Sequence, residues 1–493
     1  MADRVDTAEP TSQGQGRLAT EAEADALGHA LERPGVDHKL LGLVVHGIGE
    51  EPVGSTVKHM AKEFLPLARG IDQEATIAAK PVDEGDPAEV RIRFRGPNQE
   101  LYELRFLEVW WAQAFEPPSF GAFLKGLWDF FSTWLGRADR RKGFRLWAER
   151  RHWGFALWQR LFVDLAVLVL WPLLLLLLIL VWIVEFLSTE RFLPKWLLAG
   201  HRWLVNLATR HLGDAWVYFR NPWEASRIRV RFEERFNQVV ELLQTDPEKG
   251  KTDAVFVIAH SLGSVVAYEA LTGRRMTHLI QETFRAEGQP TFHFISVGSA
   301  LNSAWDFVPD RERFRFYRRF APQVHWLNLW SGPDPVSRGR LRLPDACTIP
   351  RFDQRNVVNQ MDLFSDHTTY WNNVEQVIAP ILDTITSGQL SSALQMNTQA
   401  REKRVRRLAL LKALVWLVFP ATYFLLLLTG AGDWISGWAE GTFLGGEGWQ
   451  RYLLTPVLWA GLMAAVAAGV YSTVVKWVWD LFDSKFKYRR IGA

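Results

Sequence analysis

Apolar residues along this chain fall into two patterns: short runs of strand length that end in glycine turns, and three uncharged stretches of twenty or more residues. The first kind opens with Leu40-Leu-Gly-Leu-Val-Val-His46, which runs into His-Gly-Ile-Gly and predicts a buried strand followed by a tight turn. Val90–Arg95 and Leu101–Trp110, separated by Gly96-Pro97-Asn98, predict a hairpin. From Asp253 to Ile385 strands and helices alternate. Ala254–Ala259, Thr291–Val297 and Val324–Leu329 read as strands, and Ser264–Leu271 and Tyr370–Leu382 as helices. That alternation is the mark of a mostly parallel sheet with helices on both faces.

The long stretches are Leu165–Val184, Ala413–Gly432 and Tyr452–Val475. Twenty helical residues at ~1.5 Å each span the ~30 Å of a hydrocarbon core. The link between the last two carries Asp433, Glu440 and Glu447, with Arg451 its only basic residue. The outer flanks are basic: Arg401, Lys403, Arg404, Arg406 and Arg407 before, and Lys476, Lys485, Lys487, Arg489 and Arg490 after. The positive-inside rule makes this pair a transmembrane hairpin with both ends cytoplasmic. Between Pro118 and Arg160, aromatics and leucines mix with Arg140, Arg141, Lys142, Arg145, Arg150 and Arg151, the composition of an interfacial helix on anionic lipid.

The chain therefore divides into a disordered tail over 1–37, the first part of an α/β domain over 38–117, a membrane-associated insertion over 118–212, the second part of that domain over 213–400, and the hairpin over 401–493. The His46 strand and the Ser261 turn must share one sheet, so the insertion has to cross the bilayer an even number of times. Either 194–212 forms a return leg, or the apolar segment bends at Pro172 and re-enters.

Composition changes this picture little. Of 493 residues, 24 are Trp, a side chain favoured at bilayer interfaces, and the net charge of +3 gives no reason to expect nucleic acid. A single cysteine, Cys347, rules out an intrachain disulfide. No His/Cys cluster has metal-ligand spacing, so neither a metal nor another cofactor is expected.

The chemistry concentrates in Val255-Phe-Val-Ile-Ala-His-Ser-Leu-Gly-Ser-Val-Val-Ala-Tyr-Glu-Ala-Leu271. A β-branched strand runs into His260-Ser261-Leu262-Gly263 and straight on into a helix, the context in which a nucleophilic serine is lifted above a sheet. The residues two before and two after it must be small, and they are Ala259 and Gly263. A serine needs a base and the base an orienting acid, in the chain order Ser, Asp, His for this architecture. His367 follows as base, and Asp334, in the turn Ser331-Gly-Pro-Asp-Pro-Val-Ser337, is preferred as acid over the adjacent Asp366. The Leu262 N–H and a donor from Gly47 or Ile48 would form the oxyanion hole, with His46, Gly49, His260 and Gly263 supporting these loops.

The series V-V-H-G-I-G, A-H-S-L-G-S-V-V-A-Y-E, L-N-L-W-S-G-P-D-P-V-S and S-D-H-T-T-Y-W resembles the lipase and serine-esterase branch of the α/β hydrolases, and within it the intracellular phospholipase A1 group with a DDHD domain. The resemblance is scattered over Leu40–Trp371. It implies an α/β-hydrolase-type sheet and ester hydrolysis on lipid, with Ser261, Asp334 and His367 as a triad. The expected partners are membrane lipids and a lipid or other ester substrate. The expected setting is a bacterial-type inner membrane or an intracellular membrane, with catalytic domain and C-terminus facing the cytoplasm. A thioesterase using the same triad and a silent hydrolase-fold scaffold remain alternatives. A transporter is disfavoured, because the long stretches carry no charged or broken pairs.

Overall fold

The computed structural model describes residues 36–47, 52–80, 88–111, 217–219, 221–245, 252–307, 320–341, 351–361, 366–394, 396 and 398–410. Nearly all of the expected tail, the whole of the 118–212 insertion and both apolar stretches of the expected C-terminal hairpin lie outside the described residues. Among the described residues no helix is long and apolar enough to cross a membrane.

These residues form a mixed α/β structure around one sheet of eight strands in the order β2-β3-β4-β1-β5-β6-β7-β8. The strands are β1 (His38–Val45), β2 (Thr76–Lys80), β3 (Glu89–Arg95), β4 (Leu101–Val109), β5 (Thr252–His260), β6 (Thr291–Val297), β7 (Val324–Ser331) and β8 (Phe352–Val357). β3 runs antiparallel to both of its neighbours, β2 and β4, while β4, β1, β5, β6, β7 and β8 are mutually parallel. The expected hairpin is β3–β4, with Val90 opposite Phe106.

The helices are α1 (Ser55–Ile71), α2 (Pro222–Thr245), α3 (Leu262–Leu271), α4 (Arg274–Thr283), α5 (Leu301–Phe307) and α6 (Ala379–Ile385), with a further helix over 398–410. Strands buried on both sides read as unbroken apolar runs, and alternate residues of β5 go to opposite layers. Val255, Val257 and Ala259 pack with Ile228, Phe232 and Phe236 of α2 and Val265 and Val266 of α3. Ala254, Phe256 and Ile258 pack with Val57, Met60 and Phe64 of α1 and Ile381 and Leu382 of α6.

The order of connection sets where a ligand can sit. From β1 the chain crosses to the far edge at β2 and builds back inward through β3 to β4 beside β1, and later lays β5 on the other side of β1. Connections thus diverge between β1 and β5, and the crevice beyond the carboxyl ends of such a strand pair is the usual ligand site of an open α/β sheet. His46-Gly47 and Ser261 follow those two strand ends.

One expectation needs correction. The continuous helix expected over Tyr370–Leu382 is a 3-10 turn (Tyr370–Asn372), a π-helix (Val374–Ile378) and then α6. Asn373 causes the break. Its side-chain oxygen accepts the Gln376 N–H at 3.0 Å, while its amide donates to the Val358 carbonyl and to Asn359 Oδ1. A side chain that offers the backbone a substitute partner ends one helix and starts another. The sequence pattern does not reveal helices α1, α2, α4 and α5, the helix over 398–410, or strands β2 and β8.

Gly42 shows how closely the central pair is packed. A Cβ there would lie 1.9 Å from the ring of Phe256, which is wholly buried. Gly42→Ala is expected to cost about 1–3 kcal/mol, the usual penalty of overpacking, and Phe256→Leu in the same chain to recover part of it. Urea denaturation of the two variants measures both.

Candidate active site

Three side chains from three strand ends converge. Ser261 follows β5, Asp334 lies in the turn after β7, and His367 lies beyond β8. Ser261 Oγ is 2.9 Å from His367 Nε2, and His367 Nδ1 is 3.1 Å from Asp334 Oδ2. Asp334 is held as the anion. Burial alone would raise its pKa, but hydrogen bonding and charge at His367, the Tyr370 hydroxyl and the Val336 N–H together hold it below the ordinary carboxylate value. An anion at Nδ1 accepts the Nδ1 proton, which leaves the Nε2 lone pair to accept the Ser261 O–H.

The backbone at Ser261 is strained, with φ 55° and ψ −129°, a conformation that L-residues seldom adopt. Its surroundings hold it there. The Ser261 carbonyl accepts the Ser264 hydroxyl at 2.6 Å, the Ser264 N–H at 3.1 Å and the Ala300 N–H at 3.3 Å. The Ser261 N–H donates to the Val297 carbonyl at 3.3 Å. Ser264 Oγ also sits 2.9 Å from Ser299 Oγ, which ties α3 to the end of β6. Strain of this kind, locked by neighbours, is typical of functional turns.

The requirement for a small residue two after the serine has a direct cause. A Cβ at Gly263 would lie 2.3 Å from the His46 carbonyl oxygen and 2.7 Å from that of Val45. Gly47 faces the same crowding, since a Cβ there would be 3.0 Å from the Ser261 Cβ. Leu262 opens α3, so its N–H has no helical acceptor. Of the expected oxyanion-loop residues, Gly47 lies against Ser261, while Ile48 and Gly49 lie outside the described residues.

His46 joins the loop to β4. Its ring stacks on Trp111 with centroids 4.4 Å apart, and its Nε2 is 3.4 Å from the Trp111 N–H. Its Nδ1 is 2.6 Å from the Gly47 carbonyl oxygen. With Nδ1 carrying the proton, both ring nitrogens are satisfied and the imidazole acts as a brace. Glu108, near the end of β4 itself, accepts the N–H groups of Gly54 and Thr56 at the start of α1. Burial pushes the Glu108 carboxyl up despite these bonds.

Asp366 serves a different end. Its Oδ1 accepts the Gln360 and Met361 N–H groups, each at 2.8 Å, and its carbonyl accepts from Asn359. It therefore folds the turn that carries His367, and it is Asp334 that meets the imidazole. Burial pushes the Asp366 pKa up to about 6. His325, read from sequence as a packing residue, is half-buried beside Arg351 on β7, far along the strand from Ser331.

Sequence reasoning passed over Tyr370, Ser264, Ser299, Glu108 and Trp111. Tyr370 is wholly buried, and its hydroxyl donates to Asp334 Oδ2 at 2.8 Å while accepting the Ser331 N–H at 2.8 Å. Gly298, at φ 54°, makes room for it, because a Cβ would come within 2.6 Å of the Tyr370 ring. Only the nearness of Tyr370 to His367 in sequence could have signalled it. Among the described residues no cluster of His, Cys, Asp and Glu could hold a metal ion.

Comparison with protein-family models, with curated proteins and with solved structures finds no match.

Tyr370→Phe would leave the Ser331 N–H buried without an acceptor and remove one donor from Asp334, at an expected cost of about 1–3 kcal/mol in urea denaturation. Stability should also fall on acidification. Burial, then nearby positive charge, lowers both His260 and His293 to about 3. As pH drops below about 6.5 the unfolded chain binds protons that the folded chain refuses, so this stability, whole above that pH, drains away toward pH 3. Asp366, raised to about 6, and Glu108, also raised, work the other way and favour the folded state at low pH, while Asp334, held low, adds to the loss on acidification. A lower urea midpoint at pH 5 than at pH 7 is the expected result.

Proposed function

We propose that the protein is a membrane-associated serine hydrolase of the α/β-hydrolase type that cleaves carboxylic esters of lipids. One observation carries the reading: a single imidazole bridges the Ser261 hydroxyl at 2.9 Å and the Asp334 carboxylate at 3.1 Å, at the crevice between β1 and β5.

The chemistry follows from those positions. His367 Nε2 takes the Ser261 proton as Oγ attacks the ester carbonyl, and Asp334 stabilises the imidazolium and fixes its orientation. The carbonyl oxygen gains negative charge as the tetrahedral intermediate forms. The Leu262 N–H, at the positive end of α3, and a backbone donor from the loop at Gly47 would receive it. The imidazolium then gives its proton to the leaving alcohol, and water, activated by the same imidazole, releases the acid from the acyl-serine.

Lipid as the substrate class is supported by the apolar stretches of the sequence and by one structural fact. The segment expected to bind membrane begins at Pro118, a few residues after Trp111, whose ring stacks on His46 beside the nucleophile. A lipid ester would therefore arrive at the carboxyl ends of the central strands, where Ser261 sits. An active site tethered to the bilayer meets its substrate at high effective concentration.

A fluorophosphonate probe should label the wild-type chain and leave Ser261→Ala unlabelled. His367→Ala should lower ester turnover by about a thousandfold or more, as loss of a triad member does. Labelling that persists in Ser261→Ala would reject the assignment. Deleting 118–210 is expected to abolish turnover of phospholipid in vesicles while sparing part of the turnover of a short soluble ester. Equal loss on both would assign the segment to folding instead.

A further inference from the structure

β5 ends on His260, so the residue next to the nucleophile is itself an imidazole, and its partner is the other imidazole of the site. The rings of His260 and His367 stack with centroids 4.8 Å apart and an interplanar angle of 23°. His260 Nε2 lies 3.0 Å from the backbone carbonyl oxygen of His367. The His260 ring also meets the rings of Trp371 and Tyr370 edge-on, with centroids 5.8 and 6.1 Å away. A carbonyl only accepts, so Nε2 of His260 must carry the proton, and the ring is fixed in one tautomer.

We propose that His260 is a positioning residue that sets the orientation of His367 relative to Ser261. This rests on the hydrolase reading above and adds a role for a residue outside the triad. Successive residues of one strand end do both tasks. Ser261 supplies the attacking oxygen, and His260 grips the turn that carries the base, by its carbonyl and by the face of its ring. The distance between nucleophile and base is thereby referred to β5 alone, although His367 arrives on a loop beyond β8. Asp334 fixes the imidazole at Nδ1 and His260 fixes its plane, so rotation about the His367 side chain is opposed on two counts.

The grip also has to survive the reaction, during which His367 becomes a cation. A second cation stacked on it would oppose that step. Burial, then the neighbouring His367, pushes the His260 pKa down to about 3, so the stacked ring stays neutral over the working range.

The test exploits the two duties of the base. Attack needs proton removal whatever the ester, but departure needs proton donation only when the leaving group is a poor one. An ethyl ester must have its alkoxide protonated as it leaves, while p-nitrophenolate departs without help. The full chain would be assayed on ethyl and p-nitrophenyl esters of one short acid. His260→Phe keeps a stacking ring and loses the hydrogen bond, and His260→Gln keeps a donor near the Nε2 position and loses the ring. For His260→Phe the expected result is a fall of about tenfold or more in kcat/KM on the ethyl ester and a smaller fall on the aryl ester. KM should change less than twofold, and the thermal midpoint should stay near that of the wild type. His260→Gln should recover part of the loss on the ethyl ester.

Equal losses on the two esters, or losses that follow a lowered thermal midpoint, would overturn the positioning role while leaving the hydrolase reading in place. Absence of any Ser261-dependent turnover in the wild-type chain would remove that reading, and the positioning role with it.

Discussion

The close approach of two backbones governs the site. The carbonyls of Val45 and His46, at the end of β1, press against the first turn of α3 so tightly that no side chain fits at position 263. This contact closes the crevice between the two strands around which the connections diverge. It places Gly47 against Ser261 and brings the positive end of a helix up to the loop. The strained conformation of Ser261 follows from the same contact. A relaxed turn would swing α3 away from β1, so the carbonyl of Ser261 must be caught by Ser264 and by Ala300 to keep it in place.

The site is braced from outside the three residues that touch one another. Tyr370 ties the Asp334 turn to the segment just past His367, and Asp366 folds that segment by taking two backbone N–H groups. On the other flank the end of β4 and the residues just past it hold the loop after β1 at two places, Trp111 at its root and Glu108 where α1 begins. None of these groups reaches the crevice to react with anything. Their effect is to make the geometry costly to distort, which is what short-range proton transfer between Ser261 and His367 requires.

How much of this was legible in the sequence depended on whether the cause was local. The strand–turn–helix at Ser261 could be read because its constraints lie within ten residues: β-branched residues before, small residues two places either side, and a helix immediately after. Asp334 was found because a proline-flanked turn after an apolar strand is a local signal. The break at Asn373 was missed because the helical pattern over 370–382 is genuine, and what interrupts it is a pairing with Asn359 on a different segment. Tyr370 and Trp111 escaped for the same reason. An aromatic residue in a run of aromatics carries no mark of the one hydrogen bond or stacking partner that makes it matter. Glu108 reads as one more polar residue in a strand, and its capping of a helix that begins about fifty residues earlier depends wholly on the tertiary arrangement.

The pairing of β1 with β5 has a consequence for how the chain is made. Leu40 lies beside Ala254, so the central neighbour of the first strand is synthesised about 210 residues after it. At a ribosomal rate of ~5–20 residues per second, that is a delay of roughly 10 to 40 seconds. Throughout it β1 exposes an apolar edge beside which only β4 is available, and an unpaired edge of that kind is prone to join other chains. Nascent protein of this architecture should therefore depend on chaperones for longer than a domain whose central strands are neighbours in sequence.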